Sequence, residues 1–326
     1  MTTPDQNSQE LTFARQIVTD CASITRSVQE THILSQSKTD RSPVTIADYA
    51  IQAYVAQALR TSFPADILVG EESSSSLLQN HEILAGVTAQ MQPFLPGTTD
   101  HQVCDWIDQG KGQPSPSARF WVIDPVDGTK GFLRRMQYVT ALALIIDSQV
   151  VLSVLGCPQL TLHDHTGGLA FAVIHQGAFW QPFATLDHLF PLHVSPQTDL
   201  TRARILRSFE DAHTNSSEIE SFAALTHNTT DPVRMDSQAK YALLAAGQAD
   251  ILLRLPAADR LNYRENIWDQ APAYRIVLEA GGQMTDALGQ PLDFSTGVKL
   301  NRNQGIVATN GHLHPQTLHT LAKIRA

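Results

Sequence analysis

Six consecutive residues, Asp124-Pro125-Val126-Asp127-Gly128-Thr129, place two carboxylates, a hydroxyl and a glycine in one short segment. Pro125 fixes the backbone between the acids and Gly128 permits a tight turn. Both carboxylates, the Val126 carbonyl and the Thr129 hydroxyl can therefore converge on a small volume. Hard oxygen donors crowded in this way suit Mg²⁺. Alone, the six residues could also be an Asp-Gly turn with a capping Asp. Three more acidic positions, Asp48, Glu71-Glu72 and Asp269, stand at the ends of apolar runs. Taken singly, Asp48 and Asp269 are dipole-favoured acids at helix starts, and Glu71-Glu72 is a solvated pair on a loop. Taken as a set, they would repel one another in a partly desolvated site unless cations neutralised them.

The surrounding pattern supplies elements to hold these groups. Leu11, Ala14, Ile17, Cys21, Ile24 and Val28 recur at three- and four-residue steps and predict an amphipathic first helix. A second helix is expected from Ala47 to Leu59 after a turn at Ser42-Pro43, with Asp48 in its first turn. Ile67-Leu68-Val69 and Phe120-Trp121-Val122-Ile123 read as buried strands that end in acid. Residues 73–118, with SSSS at 73–76 and a Gly/Pro/Ser-rich stretch at 109–117, read as irregular apart from a helix near 82–92. Tyr138–Ile146, Val150–Leu155, Leu169–Ile174 and Ala178–Trp180 predict antiparallel sheet. A boundary is placed near 192–200, giving domains 1–194 and 195–326. Beyond it, strands near Arg204–Leu206 and Ile251–Leu255 alternate with helices at Glu218–Leu225, Ser237–Gly247 and Trp268–Ala280. The last helix is stopped by Gly281-Gly282 and carries Asp269 in its first turn. The sum is an α/β (α+β) chain of stacked helix and sheet layers.

With 326 residues, 42% hydrophobic and 17% charged, the chain is too apolar to be disordered and long enough for two domains. Its formal net charge of −9 disfavours nucleic acid polymer and anionic membrane as partners. Cys21, Cys104 and Cys157 show no CxxC spacing and form an odd set, which fits a reducing cytoplasm. No signal peptide, transit peptide or membrane helix is visible. His312-Leu313-His314 with His319 lacks zinc-site spacing and reads as a surface tract. Walker A, GxGxxG and GxSxG patterns are absent, which sets aside kinase, dehydrogenase and serine hydrolase chemistry.

GEES at 70–73, DPVDGTKGFLR at 124–134, MDSQAKYALLAAGQADILLRLP at 235–256 and NIWDQAPAYRIVLEAGG at 266–282, together with SPVTIADYAIQ at 42–52, resemble the lithium-sensitive, magnesium-dependent phosphomonoesterases of the inositol monophosphatase superfamily. KGFLR and DSQAKY resemble its 3′(2′),5′-bisphosphate nucleotidase branch in particular. The resemblance implies a layered αβαβα sandwich and two or three Mg²⁺ ions held by Glu71, Asp124, the Val126 carbonyl, Asp127 and Asp269. It implies that Asp48 and Thr129 orient and deprotonate the attacking water, with Glu72 behind the metal ligands. Substrate contacts fall on Gly128, Thr129, His213, Ser237, Lys240, Arg254 and Asp269. His213 and Lys240 would meet sugar and phosphates, Ser237 the base or sugar edge, and Arg254 the retained phosphate. Spacing alone adds that Ser237 and Lys240 share one helix face.

The implied reaction is hydrolysis of the 3′-phosphate of adenosine 3′,5′-bisphosphate to AMP, and of the sulfated 3′-phosphoadenylyl form, by a monomer acting on a small nucleotide. It clears a by-product of sulfate activation and is inhibited by lithium. An inositol polyphosphate 1-phosphatase and a non-catalytic nucleotide-binding regulator are the alternatives. Ala271-Pro272-Ala273 and Asn266 depart from the family pattern, as does most of 73–118.

Overall fold

The computed structural model describes residues 8–31, 35–37, 43–209, 216–256, 260 and 262–325. Helix α1 (Gln9–Glu30) is capped by Ser8, which accepts from the Leu11 amide, and it buries the predicted stripe together with Val18, Ala22 and Thr25. Strands β1 (Ser35–Ser37) and β2 (Pro43–Thr45) pair antiparallel and lead into α2 (Ile46–Ser62). The turn expected at Ser42-Pro43 is therefore strand from Pro43 onward; Ser42 lies outside the described residues. Strand β3 (Ile67–Gly70) runs directly into Glu71.

In the stretch expected to be irregular apart from one helix near 82–92, that helix is present as α4 (His81–Met91), and two more accompany it, α3 (Ser74–Leu77) and α5 (Asp100–Asp108). Thr99 and Gln102 form a capping box that starts α5, whose buried Val103, Cys104 and Ile107 dock it on the body of the protein. Its apolar stripe is only one turn long, so periodicity alone does not reveal it.

Strand β4 (Arg119–Asp127) follows, then the short helix α6 (Thr129–Leu133). Next come β5 (Val139–Ile146), β6 (Gln149–Leu162), β7 (His165–Val173), β8 (Ala178–Pro182) and β9 (Phe190–Leu192). These complete a seven-stranded sheet of order β3-β4-β5-β6-β7-β8-β9, antiparallel except that β3 runs parallel to β4.

The remaining chain forms β10 (Ile205–Arg207), α7 (Ser216–Leu225), β11 (Val233–Arg234), α8 (Ala239–Ala245), β12 (Ile251–Arg254), α9 (Ala271–Glu279), β13 (Gln283–Thr285), β14 (Ile306–Thr309) and α10 (His314–Arg325). Its five strands are ordered β11-β10-β12-β14-β13, with β10 parallel to both neighbours.

Alternation along the strands sorts the core into three clusters. Trp121, Ile123, Leu142 and Leu144 face α1 and α2. Phe120, Val122, Ala141 and Ala143 face the other way, toward Tyr241 and Leu244 of α8 and Ile276 and Val277 of α9, which also pack on Leu206, Leu252 and Ala308 of the second sheet. Ile205, Ile251, Leu253 and Val307 meet Ile219 and Phe222 of α7 and Leu321 of α10. Helix, sheet, helix, sheet and helix thus stack as five layers.

Three local expectations need correction. Helix α8 begins at Ala239, and Ser237 has φ +65°, so Ser237 and Lys240 do not share a helix face. Helix α9 begins at Ala271, so Asp269 precedes it instead of lying in its first turn; Pro272 occupies the helix start, where its missing N–H leaves no ladder bond unmade. In the tract expected at the surface, His312 and His319 are exposed, but Leu313 and His314 are buried, and the His314 ring meets Thr285 Oγ1 and Thr309 Oγ1 at 2.9 and 3.1 Å.

Candidate active site

Parallel strands β3 and β4 end side by side, so Glu71 and Asp124 arrive at the same edge of the first sheet. Between Asp124 and Asp127 the β4–β5 register slips by one residue, a bulge located at Pro125, which cannot donate to the ladder. Thr140 Oγ1 donates to the Pro125 carbonyl at 2.8 Å and fixes that bulge. Asp124 is thereby buried, while Asp127, back in the ladder opposite Val139, is half-buried. Gly128 follows with φ +87°. A Cβ there would lie 2.9 Å from Ser237 Cβ and 3.2 Å from the Gln137 carbonyl, so only glycine fits where the two sheets' loops meet.

Asp124, Asp127 and Asp269 bring one carboxylate oxygen each to within 4.8 Å of one another. Glu71 shares a hydrogen bond with Asp124. Burial drives the Asp124 carboxyl well above its ordinary pKa, and Glu71, Asp127 and Asp269 drive it further. Burial also pushes Asp269 up to about 8 against the pull of Arg254, with Glu265, Asp127 and Glu71 adding to the rise. Asp127 is raised by burial and Glu71, and moderated by Arg254, by Lys240 and by the Gln238 amide, which donates to its Oδ2 at 2.6 Å. Asp124 Oδ1 is buried without a hydrogen-bond partner. An all-oxygen donor set with an orphaned carboxylate oxygen and excess negative charge fits a hard divalent cation.

Beside this cluster, Asp48 is the third helical residue of α2. Its Oδ2 accepts from the Thr45 amide and the Thr45 hydroxyl, both at 2.7 Å, closing a capping box. Its Oδ1 lies 3.5 Å from Thr129 Oγ1, whose hydroxyl is 3.0 Å from the Val126 carbonyl. Glu72 is buried behind Glu71, its amide donating to Gln52 Oε1 and its carbonyl accepting from Gln52 Nε2.

On the second sheet's side, Lys240 is buried and its Nζ donates to Ser208 Oγ at 2.5 Å; burial, with Arg254 nearby, lowers its pKa to about 8. Arg254 is no surface arginine. It ends β12, forms a double hydrogen bond with Glu265, and is held protonated against its burial by Glu265 and Asp269. Asn266 Nδ2 donates to Asp269 Oδ2 at 3.2 Å. His213 lies outside the described residues.

The structure thus gathers Asp48, Glu71, Asp124, Val126, Asp127, Gly128, Thr129 and Asp269, with Ser237 against Gly128 and with Lys240 and Arg254 electrostatically coupled to Asp127. Sequence reasoning passed over Ser208, Gln238, Glu265 and Gln270. Ser208 follows the C-terminal end of a parallel strand, a place where ligand contacts gather. The others are polar residues with no motif of their own.

The family model described as "Inositol monophosphatase family" matches residues 6–326. A 3′(2′),5′-bisphosphate nucleotidase of Oryza sativa is 39% identical over 334 residues, covering 95% of this chain and 92% of that protein. The 3′(2′),5′-bisphosphate nucleotidase 1 of Candida albicans strain WO-1 is 37% identical over 318 residues, covering 89% and 86%. Among solved structures, a Thermotoga maritima IMPase superposes with a TM-score of 0.68 at 19% identity, covering 97% of this chain and 98% of that one, a likeness of fold. The five-layer fold and the extent of these matches agree: the chain belongs to the inositol monophosphatase family and groups there with the 3′(2′),5′-bisphosphate nucleotidases.

Proposed function

We propose that this protein is a Mg²⁺-dependent phosphomonoesterase that hydrolyses the 3′-phosphate of adenosine 3′,5′-bisphosphate to AMP and phosphate. The observation that carries this is the close set of Asp124, Asp127 and Asp269 with two cationic side chains, Lys240 and Arg254, set against it. Relatives at 34–39% identity that are named for bisphosphate nucleotides support the choice of substrate.

Glu71, Asp124, the Val126 carbonyl, Asp127 and Asp269 would hold the metal. When bound, Mg²⁺ supplies charge neutralisation at phosphorus and a lowered pKa for coordinated water. The rest falls to side chains. Thr129 has a single hydroxyl hydrogen, and Asp48 and the Val126 carbonyl compete for it. Turning that hydrogen to Asp48 leaves the Thr129 oxygen as acceptor for a proton of the attacking water, and Asp48 is the base behind it. The water oxygen bonds to phosphorus as the bond to O3′ breaks, and the 3′ oxygen takes up a proton from solvent water, while the proton lost by the attacking water passes to the Thr129–Asp48 pair. Gly128, without a side chain, leaves room for a phosphate oxygen at the turn. Lys240 and Ser237, with His213, would contact the nucleoside and its phosphates, and Arg254 the phosphate that is retained.

All the site groups come from one chain, with those up to Thr129 on the 1–194 side and Ser237, Lys240, Arg254 and Asp269 on the 195–326 side. This supports a catalytic unit with its cleft between two domains. No helix among the described residues is long and apolar enough to cross a membrane, and all three cysteines are buried and unpaired, which supports a reducing, cytoplasmic setting.

The test is phosphate release from adenosine 3′,5′-bisphosphate, 3′-phosphoadenylyl sulfate, inositol 1,4-bisphosphate and inositol 1-phosphate, with and without Mg²⁺ and Li⁺. The expected outcome is a preference for the nucleotides, dependence on Mg²⁺ and inhibition by Li⁺. A preference for the inositol phosphates would favour the inositol polyphosphate 1-phosphatase instead.

A further inference from the structure

A chain of polar side chains runs from the core of α8 to Arg254. Tyr241 is buried and its hydroxyl donates to Gln270 Oε1 at 2.7 Å; Gln270, fully buried before α9, donates from Nε2 to Glu265 Oε2 at 2.9 Å. Glu265 in turn receives Arg254 Nη2 at 2.7 Å on Oε2 and Arg254 Nε at 3.3 Å on Oε1. The Glu265 side chain is only 8% exposed.

Its backbone is pinned as well. The Glu265 carbonyl accepts from the Leu300 amide at 3.0 Å, and Asn266 bridges to Lys299.

This arrangement is costly unless it is used. A buried carboxylate beside Asp269 adds negative charge to a region already crowded with acid, and its net contribution to stability through the Arg254 pair is small. What a two-point Arg–carboxylate pair supplies is orientation: with Nε and one Nη occupied, the guanidinium plane can no longer rotate. Tyr263, 42% exposed, also hydrogen-bonds to Arg254. The guanidinium is therefore held between a buried carboxylate and a half-open aromatic hydroxyl, beside Asp269.

We propose that Glu265, braced by Gln270 and Tyr241, is a positioning residue that fixes the Arg254 guanidinium for the second phosphate and so sets the preference for bisphosphorylated over monophosphorylated substrates. The proposal rests on the nucleotidase function given above. It is distinct from a structural role, because a merely structural residue would affect every substrate alike.

The test is steady-state kinetics of wild type, Glu265→Gln, Arg254→Gln, the double variant and Tyr241→Phe. The substrates are adenosine 3′,5′-bisphosphate and adenosine 3′-monophosphate, which lacks the phosphate that Arg254 would hold. Glu265→Gln is expected to raise KM for the bisphosphate and to lower the ratio of kcat/KM between the two substrates by about tenfold. Arg254→Gln lowers that ratio at least as much, and the double variant loses no more than Arg254→Gln alone, because both act through one contact. Tyr241→Phe, which keeps its ring in the core, moves the ratio in the same direction by about two- to threefold and serves if Glu265→Gln does not fold.

An unchanged ratio in Glu265→Gln, or in Tyr241→Phe should the former not fold, overturns the proposal while leaving the proposed function intact. A wild type that leaves the bisphosphate untouched overturns both.

Discussion

Asp48 divides its two oxygens between a helix start and the candidate catalytic hydroxyl: Oδ2 closes the capping box with Thr45, and Oδ1 stands 3.5 Å from Thr129 Oγ1. The same bonds that start α2 therefore aim the proposed base. At 3.5 Å the second contact is at the long limit for an O–H···O bond, and the Thr129 hydroxyl is better placed for Val126. The pair is in contact at the limit of a hydrogen bond, a spacing that substrate binding would tighten if the two act as proposed.

Thr129→Val should lower kcat about 100-fold or more while leaving the urea midpoint near wild type, since the hydroxyl's shorter bond, to the Val126 carbonyl, is local to the turn and its contact to Asp48 is long. Asp48→Ala should abolish turnover and also cost about 1 kcal/mol of stability through the lost cap. Thr45→Ala separates the two effects. It removes the cap while the carboxylate remains, so stability should fall by a similar amount with much of kcat retained. A Thr129→Val enzyme of wild-type rate would remove the hydroxyl from the mechanism.

Mg²⁺ should raise the thermal midpoint of the wild-type protein, because it relieves repulsion among Asp124, Asp127, Asp269 and Glu71 in the folded state only. Asp124→Asn should raise the metal-free midpoint and abolish most of the Mg²⁺-induced shift. Thermal scans with Mg²⁺ and with chelator check this, and an undiminished shift in Asp124→Asn would place the ion elsewhere.

Gly128→Ala should destabilise by roughly 1–3 kcal/mol and reduce turnover. The residue has φ +87°, and the new Cβ would sit 2.9 Å from Ser237 Cβ, forcing apart the two loops that frame the site. Gly97→Ala is a useful comparison, since it shares a positive φ of +80° but meets nothing within 4 Å. A Gly128→Ala protein with no greater loss than Gly97→Ala would show the close approach to be unimportant.

His314 gives stability an acid-side pH dependence. Burial lowers its pKa from 6.5 to about 4, so between these values the unfolded chain takes up a proton that the folded chain excludes. Stability is full above about 6.5 and falls as pH drops toward 4, by roughly 3 kcal/mol in all. Urea unfolding of wild type and His314→Gln across this window should show the slope flattened in the variant. Parallel curves would assign the dependence to other groups.

Much of this was legible from residues whose pattern and chemistry agree. The stripe of α1, the strands before Glu71 and Asp124, and the αL glycines after α8 and α9 follow from periodicity and glycine's freedom alone. So did the oxygen-rich turn at 124–129. Helix α5 was hidden because nine residues carry barely one turn of stripe. Ser237 misled because it opens the helix-forming run SQAKYALLAA, yet its φ is +65° and the helix starts only at Ala239. His314 misled because a polar-looking tract hides a ring satisfied by two threonines, Thr285 of β13 and Thr309 of β14. Glu265 and Gln270 carry no motif, and only the fold brings Arg254, Gln270 and Tyr241 together around one carboxylate.

The central claim is tested most directly by incubating the purified protein with adenosine 3′,5′-bisphosphate and Mg²⁺ and separating the nucleotide products by chromatography. The expected result is stoichiometric conversion to adenosine 5′-monophosphate and inorganic phosphate, stopped by chelating the metal. An unchanged nucleotide, release of the 5′-phosphate instead, or turnover that persists with chelator would contradict it.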